Sequence, residues 1–327
     1  MAVKTFIEAI REALAEEMRR DETVIVLGED VGRKGGVFLA TDGLWAEFGD
    51  DRVIDTPLTE SMIVGASIGA SVNGLRPVAE IQFADFIHPA FNQIVSEAAR
   101  MRYRSNNGFH VPIVIRAPYG GGVHGALYHS QSVEAFFCHV PGLKVVVPST
   151  PYDAKGLLKA AIRDEDPVLF FEHKKMYRSV RGEVPDEEYT IPLGRASVVH
   201  PGSQITVVAY GLMVHYALDA ADRVAEEGIS VEVVDLRTLR PLDRETLLGS
   251  VRKTGKCLVV YEDNRFGGYG AEVAAIVADE AFDYLDGPVM RVAGPDVPAV
   301  PYNHVLEDWF MPNPEKIAAA LRTLAAY

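Results

Sequence analysis

Apolar residues recur along this chain at two periods, and the periods alternate. Ile7, Ile10, Leu14 and Met18 share one face of a helix predicted over residues 5–20. Residues 23–28 form a short apolar run that reads as a buried strand, with Glu29 and Asp30 at its C-terminal end. The same reading predicts strands at 52–54, 77–82, 111–116, 143–147 and 167–171, and helices at 62–70, from about 88 to 104, and at 152–163. Short apolar strands alternating with helices predict a parallel sheet covered on both faces. The rhythm lapses from about 178 to 203, where Arg181 to Tyr189 is charged, proline-bearing and aperiodic. It resumes with strands at 205–209, 230–234, 257–261 and 289–292, helices near 213–227, 244–254 and 270–282, and a last helix at about 314–324. The expected fold class is α/β in two domains, each a largely parallel sheet flanked by helices. The domains are expected at 1–180 and 204–327, with 181–203 as the linker.

Composition narrows the class of function. The chain has 327 residues, more than a single hydrophobic core usually covers, and is 48% hydrophobic, as a globular protein should be. Its net charge of -14 repels phosphate backbones, so nucleic acid is not an expected partner. Cys138 and Cys257 lie far apart without metal-ligand spacing, which fits a reducing cytoplasm rather than a disulfide scaffold. No apolar run is long enough to span a bilayer, so no membrane is expected. The first residues lack a secretory pattern, and Glu8, Glu12, Glu16 and Glu17 argue against a transit peptide.

Candidate chemistry gathers at predicted strand ends, where open parallel sheets bind ligands. Glu60 stands at the mouth of an apolar, small-residue helix. It reads either as a helix N-terminal charge or as a working acid. Glu29 with Asp30, and Gln82 with Asp85, fall at similar positions and read as caps or as ligand contacts. Phe83 and Phe86 follow a strand end, where they can pack in the core or stack on a planar ligand. Gly120, Gly121, Gly122 and Gly125 precede His129, which reads as a satisfied loop histidine or a proton-transfer group. Ser130 and Ser132 lie outside any nucleophile-elbow pattern. Residues 266–272 open a helix but lack the glycine spacing of a dinucleotide fingerprint, and no P-loop motif occurs.

Together these stretches carry a resemblance. Gly28-Glu29-Asp30-Val31-Gly32, Asp55-Thr56-Pro57-Leu58-Thr59-Glu60, Gln82-Phe83-Ala84-Asp85-Phe86, His129-Ser130-Gln131-Ser132, residues 148–158 and Val233-Val234-Asp235-Leu236-Arg237-Thr238 occur in fixed order over the whole length. The chain resembles the beta subunits of the thiamine-diphosphate-dependent decarboxylase component of 2-oxo acid dehydrogenase complexes. Residues 124–137 look most like the branched-chain, 2-oxoisovalerate-oxidising type. Pyruvate dehydrogenase beta subunits share most other motifs, and a non-catalytic assembly subunit is a further alternative.

The resemblance implies a pyrimidine-binding thiamine-diphosphate fold followed by a transketolase C-terminal-like domain. It implies that Glu60 contacts N1′ of the cofactor's aminopyrimidine and that Glu29, Leu58, Thr59, Gln82, Phe86, Ile87, His88 and Pro89 surround it. Met62, Ile63 and Val64 would give Glu60 an apolar setting of the kind that raises a carboxyl pKa. Substrate would meet Phe83, Ala84, Asp85, Phe86 and His129, the last being the match for a histidine near the reactive carbon. Ala161, Asp164 and Asp166 align with a potassium-binding loop, although Asp166 stands where asparagine is expected. The Gly-Asp-Gly motif that holds magnesium and diphosphate is missing, so that half of the site is expected from an alpha subunit in an α2β2 heterotetramer. The C-terminal domain is expected to dock on a lipoyl acyltransferase core.

Overall fold

The computed structural model describes residues 1–327. The chain divides into two compact units: Met1–Tyr119 with Phe136–Leu193, and Gly120–Ala135 with Gly194–Tyr327. The loop of residues 120–135 therefore packs with the second unit, although it was expected in the first domain.

The first unit begins with β1 (Ala2–Thr5), α1 (Phe6–Arg20), β2 (Val24–Gly28), α2 (Leu44–Phe48), β3 (Val53–Asp55), α3 (Glu60–Val72) and β4 (Arg76–Glu80). It continues through α4 (Ala99–Arg104) and β5 (Val114–Tyr119); α5 (Glu134–Cys138), β6 (Lys144–Val146), α6 (Pro151–Arg163), β7 (Val168–His173), α7 (Met176–Ser179) and β8 (Arg181–Val184) follow. Its main sheet runs β6-β7-β5-β4-β2-β3, with every pair parallel. Strands β2, β5 and β7 are buried throughout, which is why they read as continuous apolar runs.

Helix α1 starts where its sequence says it should. Thr5 and Glu8 form a reciprocal capping box, and the helix buries Phe6, Ile10, Leu14 and Met18. The helix expected over 88–104 is instead broken into short turns at Ala84–Phe86 and His88–Ala90, a π-helical turn at Gln93–Ala98, and α4. The expected linker also has structure: β8 pairs antiparallel with β1, and β9 (Ser197–His200) pairs antiparallel with a strand of the second unit.

That second unit contains β10 (Ile205–Ala209), α8 (Leu212–Ala225), β11 (Val231–Asp235), β12 (Thr238–Arg240), α9 (Arg244–Thr254) and β13 (Cys257–Asn264). It ends with α10 (Tyr269–Glu280), β14 (Met290–Gly294), α11 (His304–Phe310) and α12 (Pro314–Ala325). A five-stranded sheet runs β14-β13-β10-β11-β9, parallel except for β9.

The first unit has a charged centre. Arg116 on β5 is fully buried. Its Nε and Nη2 donate to the two oxygens of Glu172 on β7, each at 2.7 Å, and its Nη1 donates to Glu80 on β4 at 2.6 Å. The Tyr177 hydroxyl donates to Glu172 at 2.6 Å. Burial disfavours the guanidinium charge, but Glu172 and then Glu80 more than reverse that, so Arg116 lies above its ordinary value. The triad ties three adjacent strands together through groups that cannot turn to water. Arg116→Met should destabilise the unit by about 3–5 kcal/mol, because two carboxyl groups are left buried without their cation. Those acids would then hold protons more tightly folded than unfolded, so the variant should recover stability as pH falls. Urea denaturation of wild type and variant at pH 8 and pH 5 measures both effects.

Candidate functional site

Parallel pairing puts the C-terminal ends of β2, β3 and β4 on one edge, with Gly28 opposite both Asp55 and Glu80. Gly28 is required there: a Cβ would stand 2.7 Å from the Glu80 carbonyl oxygen. The chain then leaves each strand in a loop that its neighbours hold. Thr56 N–H donates to the Gly28 carbonyl at 2.9 Å, and Gly32 N–H donates to Asp55 Oδ1 at 2.6 Å. Gln82 Nε2 donates to the Glu29 carbonyl at 3.4 Å.

This edge collects acids. Glu60 is the first residue of α3, so the helix N-terminus favours its negative charge. The preceding Thr59 makes no side-chain cap. Glu29 is raised above the ordinary carboxyl range, first by burial and then by the charges of Asp30 and Glu60, with Lys34 offsetting only part. Glu29 therefore keeps its proton to a higher pH than a free glutamate would. A ring nitrogen that shares or accepts a proton here would relieve the repulsion, so the donor set fits an aminopyrimidine.

An aromatic wall lies beside the acids. Phe83 packs edge-on against Phe38 at 5.4 Å and against Phe86 at 5.7 Å, and Phe38 reaches Tyr177 at 5.2 Å. Lys174 Nζ stands 5.8 Å from the Phe83 ring centre. Phe38 and Tyr177 were missed from the sequence, since neither lies in a motif; Arg116, Glu80 and Glu172 were also missed, although a charge inside an apolar strand is a visible signal.

The remaining expected residues sort by exposure. Asp85 is half-buried. Ala84 and Ile87 have no exposed surface and can shape the edge only from behind. His88 and Pro89 are exposed on the second short turn, where His88 meets Phe136 edge-on at 5.8 Å. The apolar setting expected for Glu60 is one-sided: Ile63 and Val64 turn into the core, whereas Leu58 is 70% and Met62 is 38% exposed.

Ala161, Asp164 and Asp166 do not fit a potassium site. They lie at the end of α6 and before β7, on the sheet edge opposite the acids. Both Asp164 oxygens face Lys144 Nζ at 2.6 Å, and Asp166 pairs with Arg102 at 2.9 Å. Arg76 donates to the Ile162 and Asp164 carbonyls. Cations of the chain itself thus already meet the oxygens a metal would need. No group of three or more His, Cys, Asp or Glu side chains could hold a metal ion.

His129 is half-buried and follows a short turn at Ala126–Tyr128 in the loop that packs with the second unit. Glycines in such a loop permit either close approach of a ligand or positive φ, and Gly120 and Gly122 take positive φ. Gly121 N–H donates to the buried Glu262, and Gly122 N–H donates to the buried Glu307 at 2.7 Å. Further along, Glu134 is buried, accepts from the Tyr210 hydroxyl at 2.7 Å, and is raised to about 8 by burial and then by the charge of Asp263.

Comparison with known proteins gives two domains, with residues 120–135 counted in the first. Residues 3–180 match the transketolase pyrimidine-binding domain, and residues 194–317 match the transketolase C-terminal domain. The chain is 61% identical to the 2-oxoisovalerate dehydrogenase subunit beta of Bacillus subtilis (strain 168), over 100% of both chains. It is 50% identical, again over 100% of both, to the pyruvate dehydrogenase E1 component subunit beta of the same organism. A solved structure described as a split-gene transketolase, an inactive beta4 tetramer, superposes with a TM-score of 0.80 at 27% identity, covering 98% of each chain. The chain belongs to the thiamine-dependent 2-oxo acid dehydrogenase beta-subunit family, built from a transketolase-type pyrimidine-binding domain and a transketolase-type C-terminal domain.

Proposed function

We propose that the chain is the beta subunit of a branched-chain 2-oxo acid dehydrogenase. It would act on 2-oxoisovalerate and related acids and pass the acyl group to a lipoyl disulfide on an acyltransferase core. The observation that carries this reading is the gathering of Glu29 and Glu60 at one strand edge, where burial and then the charges of Asp30 and Glu60 raise Glu29. Thiamine diphosphate, when bound, supplies the electron sink for decarboxylation. Glu60 would hold the proton at N1′ of its aminopyrimidine, with Glu29 as the second acid. Leu58, Thr59, Gln82, Phe86, Ile87, His88 and Pro89 would frame that ring. His129 would move a proton during transfer to the lipoyl group.

The aromatic wall of Phe38, Phe83 and Phe86 supports an apolar substrate side chain. Asp85 would complete that wall, with Ala84 backing it from behind. Each methylene placed against such a surface is worth about 1–3 kcal/mol of discrimination. On that scale 2-oxoisovalerate should be preferred to pyruvate by at least tenfold in kcat/KM.

An alpha chain would supply the diphosphate half and its magnesium in an α2β2 assembly. The absence of a Gly-Asp-Gly motif supports this, as does the exposure of Leu58 and Met62 beside Glu60. Val305, Leu306 and Trp309 on α11 are also exposed, with Tyr302 just before the helix, and suit a protein surface. The second domain would dock on the acyltransferase core. The buried cysteines form no disulfide, which fits work in the cytoplasm.

Co-expression with an alpha chain, followed by decarboxylation assays on 2-oxoisovalerate and pyruvate, tests the reading; a preference for pyruvate overturns the substrate assignment. Glu60→Gln should lower turnover by about 10²–10⁴ with an unchanged unfolding midpoint, and near-normal turnover would remove Glu60 from the chemistry. Isolated, the chain should show no micromolar binding of thiamine diphosphate by calorimetry. His129→Ala should lower reductive transfer to a lipoyl domain at least tenfold while leaving 2-oxo acid oxidation by ferricyanide within twofold.

A further inference from the structure

The loop that carries His129 is held by a carboxyl group from far along the chain. Glu307 on α11 is 1% exposed. Its Oε1 accepts from the N–H of Gly122 at 2.7 Å and from the N–H of His124 at 3.3 Å. Its Oε2 lies 2.6 Å from His124 Nδ1. The His124 ring is 59% exposed, so the imidazole lies over the carboxyl group like a lid. A second anchor is Glu262, which accepts from Gly121 N–H. The base of the loop is closed by Gly120 N–H donating to the Gln131 carbonyl at 3.1 Å.

The backbone explains why such anchoring is needed. Gly120 and Gly122 are left-handed, as glycines allow, but His124 and Ala126 also take positive φ, at 57° and 58°. Side chains disfavour that conformation, so the loop would relax if nothing opposed it. Glu307 holds the first of these residues by both its backbone and its ring. Ala126 then opens the turn whose last hydrogen bond, His129 N–H to the Ala126 carbonyl at 3.5 Å, delivers the histidine.

We propose that Glu307 is the positioning residue for His129: by clamping Gly122 and His124 it keeps the loop in the form that presents the histidine for acyl transfer. This rests on the transfer role assigned to His129 above. Without the clamp the loop would spend only part of its time in that form, and the transfer rate would fall in proportion.

The test uses the enzyme assembled with its alpha chain and two assays, transfer to a lipoyl domain and oxidation by ferricyanide. Glu307→Ala should lower kcat for transfer at least fivefold, with ferricyanide oxidation and thiamine diphosphate affinity within twofold. Added to His129→Ala, it should cause no further loss of transfer, since both changes remove the same group from action. Equal losses in both assays, or losses that multiply in the double variant, overturn the proposal. If Glu307→Ala does not assemble, Glu307→Gln decides. It keeps an oxygen for the backbone N–H groups and sets an amide against His124. A transfer-only loss then supports the clamp, and wild-type rates or equal losses in both assays overturn it. If His129→Ala alone fails to separate the two assays, the role of His129 has failed and the clamp with it; a separation by His129→Ala without one by Glu307 variants refutes the clamp alone.

Discussion

The Arg116 guanidinium, fully buried between Glu172 and Glu80, is the constraint on which the first unit depends. A buried ion group of this kind contributes little net stability compared with apolar residues of the same shape, because its desolvation is costly. Its effect is on geometry. Three strands must keep register for the three nitrogens of one guanidinium to reach their acceptors. The strand ends that result are where Glu29, Glu60 and Gln82 leave the sheet. Gly28 sits against the Glu80 backbone with no room for a Cβ, so the loop that brings Glu29 forward is referenced directly to the triad.

Acids of one unit thus have opposite fates. Glu80 and Glu172 are matched by a cation and satisfied inside the protein. Glu29 and Glu60 sit at the adjoining edge and repel one another, with Lys34 only a partial offset. A fold gains nothing from the second arrangement by itself. It makes chemical sense when a ligand base completes the set, and the family to which the chain belongs supplies such a ligand.

Much of this was legible in the sequence because the local and global signals agree. Thr5 and Glu8 announce α1, and the apolar runs of β2, β5 and β7 announce a doubly covered parallel sheet. The readings that differed did so for physical reasons. Helix α11 went unseen because its pattern is inverted: Val305, Leu306 and Trp309 face out, while Glu307 is buried. Strands β8 and β9 are short and partly exposed, so their alternation is weak in a charged stretch. The aspartates near α6 carry the motif of a cation loop, but Lys144 and Arg102 come to them from distant positions. Sequence spacing shows which residues are near one another in the chain, and a salt bridge across the sheet is invisible to it.

The glycine-rich loop makes the same point about ligands. Glycines before a reactive residue suggest backbone N–H groups free to cradle an anion. Here the N–H groups of Gly121, Gly122 and His124 are taken by Glu262 and Glu307. Carboxyl oxygens occupy the places where phosphate oxygens would bind, and both come from this chain, buried and not readily displaced. These three N–H groups are therefore not open to a diphosphate. The glycines serve to bend the chain over two internal acids. The missing metal motif and the occupied N–H groups both support the proposed division, in which this chain would provide the groups for the pyrimidine half of the chemistry and an alpha chain would hold the diphosphate.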